Sequence, residues 1–142
     1  MNSRLDTLQA AVLLAKMDFF EEELAACEQV AERYTRRLEG AVQTPHILEN
    51  RQSAWAQYVI CLKDAEERGR VIANLQAAGI PSAVYYKKPM HRQAAFAGKQ
   101  VEAVSCLETV SLCERCLALP FHPYMEEEQI EAVCGRILGE IG

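Results

Sequence analysis

The first twenty residues are apolar on two sides of one helix, and that limits where such a helix can sit. Leu5, Leu8, Val12, Ala15 and Phe19 recur by threes and fours, the spacing of a single helical face, while Leu13, Leu14 and Met17 add a second. A surface helix of a globular domain leaves one face to water, so a helix apolar on two sides has to lie between two bodies. A chain of this length supplies one of them. The other face is expected to be exposed in isolation and to drive self-association.

A second stripe follows at Leu24, Cys27, Ala31, Tyr34 and Leu38. The step of five between Phe19 and Leu24 breaks the phase, which predicts a bend over residues 20–23 or two helices meeting there. Gly40 supplies the stop. Residues 1–40 therefore read as one long bent interface helix, and 41–142 as a small α/β unit. At the start, Ser3 followed by Asp6 has the spacing of a helix cap, which holds Asn2 and Arg4 at the helix entrance. An amide and a guanidinium beside unpaired backbone N–H groups suit a phosphate or carboxylate. A chain that opens on a capped helix, with no strand or turn before it, reads as a cut through a larger protein.

The remainder alternates. Residues 42–47 form a short strand candidate interrupted by Pro45, and 54–62, with Trp55, Tyr58, Val59 and Ile60, have the content of a central strand. Residues 64–78 predict a helix that buries Val71, Ile72 and Leu75 and stops at Gly79. Residues 80–86 predict the next strand, and 116–119 a short closing one. The last helix shows Ile130, Val133, Cys134, Ile137, Leu138 and Ile141 on one stripe, with three glutamates from Glu126 loading its first turn. A small sheet covered by helices is the expected fold. Residues 87–104 form the one long irregular stretch, where function concentrates on such scaffolds.

Composition narrows the function classes. Half of the 142 residues are hydrophobic, enough for a real core, and the net charge of -5 argues against nucleic acid or an anionic membrane as partner. No apolar run reaches the roughly 18 residues that cross a bilayer. Of the six cysteines, Cys27, Cys61 and Cys134 fall on apolar phases and read as buried thiols rather than a disulfide framework. Cys113 and Cys116, with Cys106 and His122 nearby, could by count serve as a zinc site or a redox dithiol. Cys113 in a helix and Cys116 in a strand instead aim both thiols into packing, and no metal site is expected.

Four segments in one order carry a resemblance: Asn2 to Ala11, Gly79-Ile80-Pro81 leading to Tyr85-Tyr86, Pro89 to Phe96, and Leu119 to Tyr124. Together they resemble the C-terminal portion of the DegT/StrS-type sugar aminotransferases, enzymes of fold type I that use pyridoxal 5′-phosphate. The resemblance implies a parent enzyme that moves an amino group, commonly from glutamate, to a nucleotide-linked keto-sugar in surface polysaccharide or lipopolysaccharide synthesis. It further implies a bacterial-type cytosolic location, a homodimer joined through the N-terminal helix, and a large N-terminal domain carrying the Schiff-base lysine. Without that domain the chain is expected to be inactive.

By the same resemblance Asn2 reaches the cofactor phosphate in the other subunit and Arg4 faces the sugar-nucleotide side. Tyr85 and Tyr86, at a strand end, alternate between faces, so one is core and the other binds substrate. His91 lies toward the substrate entrance as a positioning residue. Lys87 and Lys88 depart from the neutral or apolar residues usual there, and neither matches the Schiff-base position. No catalytic residue is assigned. Two other readings stand beside this one: a regulatory or interaction module derived from such an enzyme, and a small zinc or thiol-redox protein using Cys113 and Cys116.

Overall fold

The computed structural model describes residues 4–96 and 106–141. Helix α1 (Thr7–Met17) starts at a cap that differs from the expected one. Asp6 is the N-cap: its carboxylate accepts the Gln9 N–H at 2.8 Å, and the Gln9 side chain accepts the Asp6 N–H in return. A carboxylate three residues before an amide side chain satisfies two orphan donors reciprocally. Ser3 lies outside the described residues. Two helices do meet here, but at Asp18–Phe19 rather than over residues 20–23: α1 closes on its C-cap Asp18, and α2 (Phe20–Leu38) begins after Phe19, with Gly40 following at φ +80°.

Strand β1 (Tyr58–Cys61) pairs antiparallel with β2 (Cys116–Leu119), in the register Tyr58 to Leu119 and Cys61 to Cys116. Two of the expected strands shrink to single bridges on either edge. Gln43 bridges Cys61, and Ala83 bridges Ala118, each through a reciprocal pair of hydrogen bonds. Pro45 and Pro81 explain the shortening, since neither has an N–H to continue a ladder. The 54–62 strand likewise begins only at Tyr58, because Trp55 sits at φ +46°, outside the extended region. Since the Ala83 segment and β1 both run antiparallel to β2, they run parallel to each other. Helix α3 (Ala65–Ala77) joins them, making a split β-α-β unit.

Alternation then sorts the sheet into two faces. Tyr58, Ile60, Leu117 and Leu119 point into the core, all at most 5% exposed. There they meet Val30, Tyr34 and Leu38 of α2, Val71 and Leu75 of α3, and Ile130, Val133, Cys134 and Ile137 of α5 (Glu127–Leu138). The aromatic rings of Tyr34 and Tyr58 stack at 5.1 Å, and Trp55 and Phe121 extend the cluster. Polar ties close the helix layer. Arg37 of α2 pairs with Glu127 and Glu131 of α5, Asn74 of α3 donates to the Arg136 carbonyl, and Arg68 donates to Cys113 O in α4 (Leu107–Arg115). The exposed ion pairs contribute little, and area burial dominates.

Helix α1 takes no share in this core. None of its residues is buried, and Leu8 is 81% exposed.

Candidate functional site

The open face of the sheet carries Val59, Cys61, Cys116 and Ala118, the residues that alternate away from the core. Tyr85 and Tyr86 border a narrow cleft on this face with Val59, Cys116 and Ala118. A larger cleft of about 190 Å³ lies alongside, lined by Gln57, Ser82, Tyr85 and Phe121 among others. The expectation that one tyrosine is core fails. Tyr85 is 60% and Tyr86 70% exposed, because the extended pairing ends at Ala83 and strand alternation no longer governs the two residues after Val84. Two phenols therefore stand at the rim, each able to donate or accept a hydrogen bond or to lie against a sugar or base.

The chain then turns through two short 3₁₀ segments, Met90–Arg92 and Ala94–Phe96. Pro89 is buried and anchors the turn, the Arg92 N–H donates to Pro89 O at 3.0 Å, and Gln93 Nε2 donates to Lys88 O at 3.0 Å. These bonds explain the Pro-x-His-x-Gln spacing, in which Gln93 ties the loop and His91, half-buried, is held on the first 3₁₀ turn. Lys87, Lys88 and Arg92 line a second cleft of about 290 Å³ against α4. None of the three cations has an ion-pair partner among the described residues.

Of the residues singled out in the sequence, the structure brings Tyr85, Tyr86 and His91 onto one loop. Arg4 is not among them. It is exposed, two residues before the Asp6 cap, and makes no hydrogen bond or ion pair with a described residue. Asn2 lies outside the described residues.

The segment from Leu119 to Tyr124 performs a structural task that its sequence did not announce. Pro120 O accepts the Tyr34 hydroxyl at 2.9 Å, Phe121 stacks on Tyr58, and the Tyr124 hydroxyl donates to Glu23. His122 Nδ1 accepts the Tyr124 N–H at 3.2 Å. This segment pins α2 to the far end of β2. Burial pushes the Tyr34 phenol upward and raises Tyr58 to about 12, so neither ionises near neutrality. Glu28, which receives the Trp55 indole N–H, and the left-handed backbone at Trp55 were likewise not legible in the sequence.

The cysteines are free thiols. Cys113 is buried in α4 and Cys116 opens β2, and among the described residues no group of three or more His, Cys, Asp or Glu side chains is placed to hold a metal ion.

A split β-α-β layer behind an amphipathic helix that buries none of its described residues is an arrangement that known proteins share. The chain belongs to the DegT/DnrJ/EryC1/StrS aminotransferase family, whose profile matches residues 1–138. It is 38% identical over 138 residues to the UDP-2-acetamido-2-deoxy-3-oxo-D-glucuronate aminotransferase of Pseudomonas aeruginosa, covering 96% of this chain and 37% of that protein. Among solved structures, a DegT DnrJ EryC1 StrS aminotransferase from Brucella abortus superposes with a TM-score of 0.90 at 42% identity, over 100% of this chain and 37% of that one. DesV of S. venezuelae, solved with a ketimine intermediate, superposes at 0.89 with 26% identity, over 99% and 38%. The chain thus spans little more than a third of the length of the relatives it matches. Among the described residues no helix is long and apolar enough to cross a membrane.

Proposed function

We propose that this chain is the C-terminal portion of a pyridoxal-phosphate-dependent aminotransferase that acts on a nucleotide-linked keto-sugar. The observation that carries the reading is the end-to-end likeness, 38% in sequence and 0.90 in TM-score, to aminotransferases about three times as long. On this reading the lysine that holds the cofactor belongs to the length this chain does not span, and the chain alone does not transaminate. Glutamate is the proposed amino donor. Surface polysaccharide or lipopolysaccharide synthesis in the cytoplasm is the proposed setting.

When bound, pyridoxal phosphate supplies the electron sink for amino transfer. The residues of this chain would bind and orient. Asn2 offers a neutral amide donor to the cofactor phosphate of a neighbouring subunit, which suits an anion already partly neutralised by helix N–H groups. Arg4, an exposed cation without a partner among the described residues, offers two N–H groups to an anionic substrate group. Tyr85, Tyr86 and His91 line the sugar-nucleotide side of the loop. The exposed apolar surface of α1, from Leu5 through Met17, supports a homodimer interface, because that much apolar area is otherwise left in water.

The test is to express the full reading frame and assay it with a nucleotide-linked keto-sugar, glutamate and pyridoxal phosphate. Amination is expected, with KM for the sugar raised about tenfold, or about 1.4 kcal/mol, in Tyr86→Ala and His91→Ala. The present chain, assayed alone, should give no turnover. A full-frame protein that assembles but never aminates would favour a regulatory module instead.

A further inference from the structure

Folding places two cysteines opposite each other that the sequence keeps 55 positions apart, at 61 and 116. Cys61 exchanges both of its backbone hydrogen bonds with Gln43 on the other side of β1, at 2.9 and 3.1 Å. Nothing is left to exchange with Cys116, so the pair is the non-hydrogen-bonded kind, in which facing Cα atoms stand about 4.5 Å apart and side chains lie closest. That spacing falls at the short end of the range a disulfide spans, about 4.4–6.8 Å. Both side chains leave the sheet on its open face, away from the core, and both are only half-buried.

We infer that Cys61 and Cys116 form a reversible cross-strand dithiol, a thiol–disulfide modification site on the open face of the sheet that accepts small disulfides such as oxidised glutathione. The site is independent of the aminotransferase reading. The Cys113-x-x-Cys116 spacing visible in the sequence is the wrong pair, because Cys113 is buried in α4 whereas Cys61 stands directly across the ladder.

The chemistry balances without a metal. The Cys116 thiolate attacks one sulfur of oxidised glutathione, forming a mixed disulfide and expelling one glutathione thiolate. The Cys61 thiolate then attacks the Cys116 sulfur and expels the second. The protein loses two electrons and two protons, and the glutathione disulfide gains both. The first attack falls to Cys116, which borders the open-face cleft with Tyr85 and Tyr86. Before attack Cys116 must release the Leu112 carbonyl, to which its S–H donates. A bridge between two half-buried cysteines on the open face stays within reach of reductants, and accessible disulfides are the labile ones. Cys116 shares its cleft with Tyr85 and Tyr86, so the bridge would form beside the candidate site.

The experiment treats the reduced, folded chain with oxidised glutathione and follows intact mass and a non-reducing peptide map. The expected result is a mass lower by two hydrogens, one linked peptide joining Cys61 to Cys116, and full reversal by dithiothreitol. Cys61→Ser should abolish the link and leave a glutathione adduct, whereas Cys113→Ser should keep it. A wild-type map that joins Cys113 to Cys116, or that shows stable glutathione on Cys116 with Cys61 unlinked, overturns the inference. Both readings come from the wild-type chain and do not depend on a variant folding.

Discussion

Helices α1 and α2 follow each other in sequence, share an apolar pattern of threes and fours, and meet opposite fates. The second half of α2 buries Val30, Ala31, Tyr34 and Leu38 against β1, β2 and α5. Helix α1 buries nothing, and Leu5, Leu8, Val12, Leu13, Leu14 and Met17 all face outward. Amphipathic periodicity states that a face must be covered, while only the rest of the fold states by what. For α2 the cover is in this chain. For α1 the described residues supply none, in a chain that spans 37% of its relative's length.

The largest effect should come from emptying the α2 side of this contrast. Tyr34→Ala removes a fully buried ring stacked on Tyr58, and urea denaturation should show a loss of about 3–5 kcal/mol. Alkaline pH probes the same core next. Burial lifts the Cys134 thiol from 9.0 to about 11, so the folded state holds a proton that the unfolded state gives up. The contribution of this thiol to stability is therefore constant below pH 9 and falls as pH rises from 9 toward 11. Cys134→Ala should flatten part of that slope in thermal melts recorded across the range. Tyr34→Phe keeps the ring but deletes the bond to Pro120 O, and should cost about 1 kcal/mol.

The smallest effect on folding belongs to α1. Replacing Leu8, Leu14 and Met17 together with glutamine should move the unfolding free energy by no more than about 0.5 kcal/mol. The same variant should sediment as a monomer at concentrations where the parent chain associates. A core-sized loss of stability would instead mean that α1 packs within its own chain, and the contrast would collapse.

Much of the helical layer was legible. The stops at Gly40 and Gly79 and the stripe of α5 appear in the structure, and the broken phase appears as two helices meeting at Asp18–Phe19, just before the expected span, because caps and 3.6-residue periodicity are local properties. The sheet was legible only in part. Strands expected over 80–86 and 42–47 reduce to one bridge each, since a β-ladder depends on partners distant in sequence and on prolines that interrupt it. Both tyrosines now at the rim were singled out in the sequence, but the rule used to assign their faces did not apply, as the ladder ends before reaching them.

The sequence by itself determined where the main helices lie and stop, and that the first twenty residues carry apolar side chains on two sides, since each follows from the spacing of residues along one chain. Only the tertiary structure decided that Tyr34 reaches the carbonyl of Pro120, that Tyr85 and Tyr86 both stand at the rim, and that Cys61 faces Cys116 rather than Cys113 facing it. Those outcomes depend on the register of a two-stranded pairing closed over more than fifty residues. A slip of one position there would turn every side chain of the strand to the other face.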